Sequence, residues 1–278
     1  MLAEDTATPL TGMGVGLRGP HVQEILQQNP AVPWFELLTD NHLCAGGALR
    51  FQAEAIAERY PVALHGVNLS LGGTDPLDRE YLGRVRALAQ STGARHISEH
   101  LAFTACSGIH SHDLLPLPWT EEALEHVADR ISQVQDFFGQ TLLVENISTY
   151  LEYEHSTLNE GDFLLELCTR TGCKLLLDIN NVYVNAVNHS HDPQDLLGTI
   201  PWAHVREVHL AGHEERGGLL IDTHGGCVCD EVLGLFLNVA PRIPEVPVLF
   251  EWDTSLPPWP VVWQETQRLD EAYQAALA

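Results

Sequence analysis

Basic residues, cysteines and long apolar runs are all scarce in this chain, and each scarcity removes a class of function. Only 14 Lys and Arg stand against 38 Asp and Glu, a formal charge of −24. That balance repels phosphate backbones and anionic headgroups, so neither nucleic acid nor membrane is expected as a partner. No apolar stretch approaches the roughly 18 residues a bilayer span needs, and no basic-then-apolar leader is seen; the expected location is cytoplasmic. The six cysteines, Cys44, Cys106, Cys168, Cys173, Cys227 and Cys229, are too sparse for a disulfide scaffold and form no CxxC pair, so they read as reduced thiols. A GxGxxG turn is missing after the first strand candidate, which disfavours an open dinucleotide-binding sheet. No linker or low-complexity tract interrupts Gly14–Ala278, so residues 1–278 read as one domain, with Met1–Thr11 a flexible lead-in.

What the chain does contain is regular alternation. Hydrophobic residues make up 45% of it, a globular value. Eight short, near-continuously apolar segments read as strands buried on both faces: Gly14–Arg18, Trp34–Asp40, Pro61–Val67, His96–Leu101, Thr141–Ile147, Lys174–Asn180, Val205–Gly212 and Pro247–Asp253. Each precedes a helix-like segment, at the spacing of a βα unit, on the order of 30 residues. A long loop is expected between Leu101 and the helix that Thr120 would cap near Glu121. The pattern predicts an α/β fold, a (β/α)8 TIM-type barrel.

In such a barrel the strand C-termini converge on one rim, where active sites are built. Polar residues sit at those ends: Glu36 and Asn41, His65, Glu99 and His100, Glu145 and Asn146, Asp178 and Asn181, His209 and His213, Glu251 and Asp253. A buried charge must be paired or ligated. His65, His100, His209, His213 and His224 offer imidazoles, while Glu145, Asp178, Asp222 and Glu251 offer carboxylates. This nitrogen and oxygen set suits iron, manganese or zinc, and it exceeds what one ion needs. Two or three cations would remove the repulsion among the carboxylates. Asp222 and His224, two apart, point the same way in extended chain, and Gly212, Gly217 and Gly218 would let the loop fold over the rim. His21, His96, His126, His155, His189 and His191 fall in loops or helices and read as structural.

The runs ALHGVNLSLGG (Ala63–Gly73), ISEHLAF (Ile97–Phe103), VENISTYL (Val144–Leu151), LLLDINNVYVNAVNH (Leu175–His189), HLAGH (His209–His213), IDTHGG (Ile221–Gly226) and FEWD (Phe250–Asp253) resemble the multinuclear non-heme iron-dependent oxidative enzymes, the family of MbnB and TglH. The match spans nearly the whole chain in order. It implies a TIM-type barrel with two or three irons, of mixed valence, and dioxygen as co-substrate. The reaction implied is oxidation of a cysteine in a ribosomally made precursor peptide to a heterocycle such as an oxazolone or thiooxazole. A helper protein that recognises the peptide and forms a heterodimer is implied as well.

Carried over by motif, one iron would take His65, His100 and Glu145. A second would share Glu145 and add Asp178, His209 and Glu251; a third would use Asn181, His213, Asp222 and His224. Asp253 is a candidate base, and Asp40, Asn41, Asn68 and Asn146 are candidate substrate contacts. LLLDINNVYVNAVNH and the long loop joining HLAGH to IDTH resemble most the subgroup that modifies copper-binding bufferin peptides, a role in copper homeostasis. Asn68 where glycine is expected, and Cys227 where proline is commoner, bear on substrate fit. Two other classes remain: a divalent-metal hydrolase or sugar isomerase on a xylose-isomerase or endonuclease-like barrel, and a non-catalytic metal-binding partner.

Overall fold

A computed structural model describes residues 9–278. Of the expected lead-in, residues 1–8 lie outside the described residues, but Leu10 is buried and belongs to the barrel. The strands are β1 (Met13–Leu17), β2 (Phe35–Leu38), β3 (Val62–Gly66), β4 (Ile97–His100), β5 (Phe103–Cys106), β6 (Ile109–Leu115), β7 (Leu142–Glu145), β8 (Lys174–Asp178), β9 (Val205–Ala211), β10 (Glu214–Arg216), β11 (Leu219–Ile221) and β12 (Val248–Glu251). The helices are α1 (Val22–Gln28), α2 (Ala48–Ala57), α3 (Arg79–Thr92), α4 (Glu121–Phe138), α5 (Glu160–Thr171), α6 (Ile179–His189), α7 (Pro193–Thr199), α8 (Asp230–Val239) and α9 (Trp259–Leu277). Eight strands close a parallel barrel in the order β1-β12-β9-β8-β7-β4-β3-β2. All eight strand segments expected from the sequence are in it.

Three local expectations change. The long loop after β4 is an antiparallel hairpin, β5–β6. The loop after β9 carries a second one, β10–β11, turning on Gly217 and Gly218 at φ 62° and 87°; two positive φ values suit the tight right-twisted turn, and only glycine adopts them cheaply. The strand expected to run to Asn180 ends at Asp178, and helix α6 starts at once with Ile179, in a stretch whose Val and Asn residues carry weak helix propensity. Its start is fixed by the Asp178 carboxylate, which accepts from the Asn181 amide as N-cap.

Side-chain alternation along the strands splits the protein into a jacket and a channel. Phe35, Leu37, Leu64, Val144, Leu175, Leu177, Val208, Leu210 and Phe250 belong to one large apolar cluster that includes helix residues such as Ile56, Leu82, Ile131, Leu167 and Phe236. The alternate residues face the barrel axis. At the bottom Trp34, Ala63, Leu249 and Leu10 form a separate apolar plug. Two residues further along the same strands stand Glu36, His65 and Glu251, all buried. The plug thus gives way within one pleat to ionisable groups.

Gly14 lies against the plug, where an added Cβ would come within 2.3 Å of the Trp34 ring. Gly14→Ala is expected to destabilise by about 1–3 kcal/mol through overpacking. Gly83→Ala in α3 meets nothing within 4 Å and should stabilise by about 0.5–1 kcal/mol. Urea unfolding of the two variants checks both signs.

Candidate metal centre

Strand register sets the rim residues side by side. His65 pairs with Ser98, His100 with Glu145, and Asp178 with His209. Paired residues of a parallel ladder share a face, so these groups converge inside the barrel.

The tightest group is His65, His100 and Glu145. Glu145 Oε2 lies 3.2 Å from His65 Nε2 and 2.9 Å from His100 Nε2, and the two nitrogens are 3.3 Å apart. Neighbouring groups fix the imidazole tautomers. Ser98 Oγ donates to the Leu64 carbonyl and so accepts from His65 Nδ1 at 2.8 Å. His100 Nδ1 lies 2.9 Å from the Gly66 carbonyl, which can only accept. In the neutral rings both Nε2 lone pairs are left facing a buried carboxylate oxygen that has no hydrogen-bond partner. Donors bound to one cation at about 2.1 Å would stand roughly 3.0–3.4 Å from one another, so the spacing is that of a coordination polyhedron.

A second group brings Glu145, Asp178 and His209 together, and a third Asp178, His224 and Glu251. His209 Nδ1 is 3.4 Å from Glu145 Oε1 and 3.2 Å from Glu251 Oε2. His224 Nδ1 is 3.1 Å from Glu251 Oε2, and its Nε2 is 2.7 Å from Asp222 Oδ1. Asp178 Oδ2, Asn181 Oδ1 and His209 Nδ1 are buried without hydrogen-bond partners. Unsatisfied donors and acceptors cost about 1–3 kcal/mol each, and their concentration at one rim fits bound cations of the kind that take nitrogen and oxygen ligands.

The outermost expected set is looser. His213 is half-buried and reaches Asp222 through Asn180, whose Oδ1 accepts from His213 Nδ1 at 2.8 Å and whose Nδ2 donates to Asp222 Oδ1 at 2.8 Å. Among the described residues, neither His213 nor Asp222 joins a compact donor group; His224 stands instead with Asp178 and Glu251. His224 has φ 44°, and its carbonyl accepts from the Asp253 amide at 2.6 Å. A non-glycine residue held in that region is strained, which occurs where surrounding contacts over-determine the position.

Of the other expected site residues, Asp253 lies at the rim with Arg18 bonded to its Oδ1. Asn68 donates to Asp40 Oδ1 at 2.8 Å, and Asp40 Oδ2 accepts from the Val67 amide at 3.0 Å. Asn41 is exposed. Asn146 is buried, and its side-chain amide bonds the backbone N–H and C=O of Asp178 at 2.9 and 3.0 Å.

Sequence reasoning missed Arg18, Ser98, Asn180 and Glu207 and left Glu36 without a role. Arg18 is a buried guanidinium that binds Glu251 Oε1 at 2.7 Å and Asp253. The signal was present in part: Ser98 and Glu207 stand two residues before His100 and His209, hence one tier lower on the same face.

Burial alone would keep the histidines neutral. Glu145 beside His100, Glu36 beside His209 and Asp222 beside His224 outweigh it and hold all three well above the ordinary histidine range. Burial would also raise Glu145 and Glu251, but His100 and His65 around the first, and His209 and His224 around the second, hold both well below the carboxylate range. Asp178 goes the other way: burial, with Glu145 and Asp222 adding to it, pushes it up to about 8 despite His224.

With that geometry in place, comparison with known proteins is direct. The family described as "RiPP precursor modification enzyme MbnB/TglH/ChrH" matches residues 12–274, RiPP denoting a ribosomally synthesised and post-translationally modified peptide. The chain belongs to this family. Its relatives include a UPF0276 protein of Acaryochloris marina, 47% identical over 95% of each chain. A UPF0276 protein of Caulobacter vibrioides is 43% identical over 91% of each. Endonuclease IV from Thermus thermophilus superposes with a TM-score of 0.63 at 18% identity, covering 95% of this chain and 99% of that one. The 3-keto-D-glucoside 4-epimerase YcjR of E. coli gives 0.57 at 15%, covering 94% and 99%. At such identities these structures establish the TIM-type barrel alone.

Because neighbouring carboxylates favour the protonated forms of His65, His100, His209 and His224, and burial favours that of Asp178, a cation must compete with protons at these groups. Metal uptake should release protons and tighten as pH rises towards about 8; calorimetry in buffers of different ionisation enthalpy measures the release. Ser98→Ala, which frees the His65 tautomer, should weaken metal binding about tenfold.

Proposed function

We propose that this MbnB/TglH/ChrH-family protein is a multi-iron oxidoreductase acting on peptidyl cysteine. With O2 as co-substrate it converts a cysteine of a ribosomally made precursor peptide to an oxazolone- or thiooxazole-type heterocycle, and a helper protein delivers the peptide. The observation that carries the metal part of this reading is the convergence of His65 Nε2, His100 Nε2 and Glu145 Oε2, with both Nδ1 atoms already engaged elsewhere. The peptide part rests on the family. The bufferin-type substrate is the subgroup this chain resembles most.

His65, His100 and Glu145 would hold one iron, Glu145, Asp178, His209 and Glu251 a second, and Asn181, His213, Asp222 and His224 a third. The looser third set makes its ion the most readily lost. When bound, iron supplies thiolate affinity and the capacity to activate dioxygen. The chain's own residues set the conditions. Arg18 neutralises part of the charge of Glu251 and Asp253 and fixes both carboxylates. Asp253 Oδ2, the oxygen Arg18 leaves free, is half-open at the rim and would receive a proton from the substrate. A cleft of about 800 Å3, lined by Asp40, Asn68, Tyr81, His110 and His112, is the candidate path for the peptide, with Asn41 exposed next to Asp40. The β5–β6 hairpin supplies one wall.

Coexpression with a cognate Cys-containing precursor and its helper tests the proposal. The expected outcome is iron in the purified protein, O2 consumption and a mass change at cysteine in the peptide. Glu145→Gln should abolish the change and the iron, whereas Asp253→Asn should keep the iron and lose about 100-fold in rate. A fully iron-loaded protein that leaves the peptide unmodified in the presence of the helper would sink the oxidase reading and favour a metal-binding partner. Turnover of a sugar or a phosphodiester without oxygen uptake would favour the isomerase or hydrolase.

A further inference from the structure

Beneath the rim, the barrel interior holds a second tier of ionisable groups. Glu36 on β2 and Glu207 on β9 are 1% and 0% exposed, and they lie on the far side of His209 from the rim groups. His209 Nε2 is 3.4 Å from Glu36 Oε2 and 3.6 Å from Glu207 Oε1. All three atoms are buried and none makes a hydrogen bond of standard geometry, so the contact between them is one of charge. The other oxygen of Glu207 is bonded by His96 Nε2 from the lower end of β4. His209 therefore has carboxylates against both ring nitrogens, one pair above and one pair below.

We infer that Glu36 and Glu207 are positioning residues that hold a proton on His209 Nε2 and so make Nδ1 its metal-binding atom. Carboxylate oxygens only accept, so the lower contact is favourable only with a hydrogen on Nε2. The Nδ1 lone pair is then aimed at Glu145, Asp178 and Glu251. His65, His100 and His213 are the reverse: each has Nδ1 bonded to a hydroxyl, carbonyl or amide oxygen and presents Nε2. His209 thus presents the opposite nitrogen from these three, with carboxylates rather than neutral acceptors behind it. A carboxylate on the remote nitrogen fixes the ring and raises the basicity of the ligating one. His96 fixes Glu207 in turn, so orientation passes from the lower end of the barrel to the centre. The inference rests on His209 being a metal ligand, as in the function proposed above.

The test uses Zn2+ as a diamagnetic probe on the full chain labelled with 15N-histidine, the His209 signals being identified by their loss in His209→Gln. Long-range 1H–15N spectra are expected to show His209 with a retained Nε2–H and a zinc-bound Nδ1, while His65 and His100 show zinc at Nε2. Glu36→Gln should lower zinc affinity about tenfold, and the double variant with Glu207→Gln should approach a hundredfold. Zinc at Nε2 of His209, loss of the Nε2 proton, or unchanged zinc affinity in the double variant overturns the inference. Neither iron nor oxygen enters this experiment, so a failed oxidase assay leaves it standing. Full zinc content in His209→Gln would instead refute the ligand assignment on which it rests.

Discussion

An ionisable group inside a parallel barrel has no water to turn to, and this constraint organises the whole upper half of the molecule. Glu36, Glu145, Asp178, Glu207, His209 and Glu251 are all at most 3% exposed. Each must find a proton, a counter-charge or a cation within a few ångströms. Among the described residues Arg18 is the only guanidinium that touches this set, and it answers for Glu251 and Asp253 alone. The rest are left to the histidines.

That arrangement is tolerated because the apolar jacket is complete without it. The outward residues of all eight strands pack with the helices in one cluster, and the plug of Leu10, Trp34, Ala63 and Leu249 closes the lower end. The rim can therefore carry unsatisfied atoms and a strained His224 as long as the jacket holds the strands in register. The same rigidity fixes donor spacing. His100 and Glu145 are neighbours because β4 and β7 pair in one register, and a slip of one residue would turn each outward.

Much of this was legible in the chain. Eight apolar segments at regular spacing gave the barrel, and polar residues at their C-terminal ends gave the ring of donors. Other features left a weak trace or none. Arg18 follows a strand of ordinary appearance, and only closure of β1 against β12 brings it to Glu251. Helix α6 was hidden by weak local propensity, and its N-cap, Asp178, had already been assigned to a strand end. The hairpins β5–β6 and β10–β11 lay within what read as loops, since three or four paired residues leave little periodicity to detect.

By itself the sequence determined the alternation of strand and helix, the face on which each polar residue falls, and the family to which the chain belongs, because these follow from local periodicity and from ordered motifs. Tertiary structure alone decided which donors stand within 3.3 Å of one another, which ring nitrogen each histidine presents, and that His213 meets Asp222 only through Asn180. The reason is physical. Periodicity fixes the direction of a side chain, whereas distance and tautomer depend on register and on partners brought from strands more than thirty residues away.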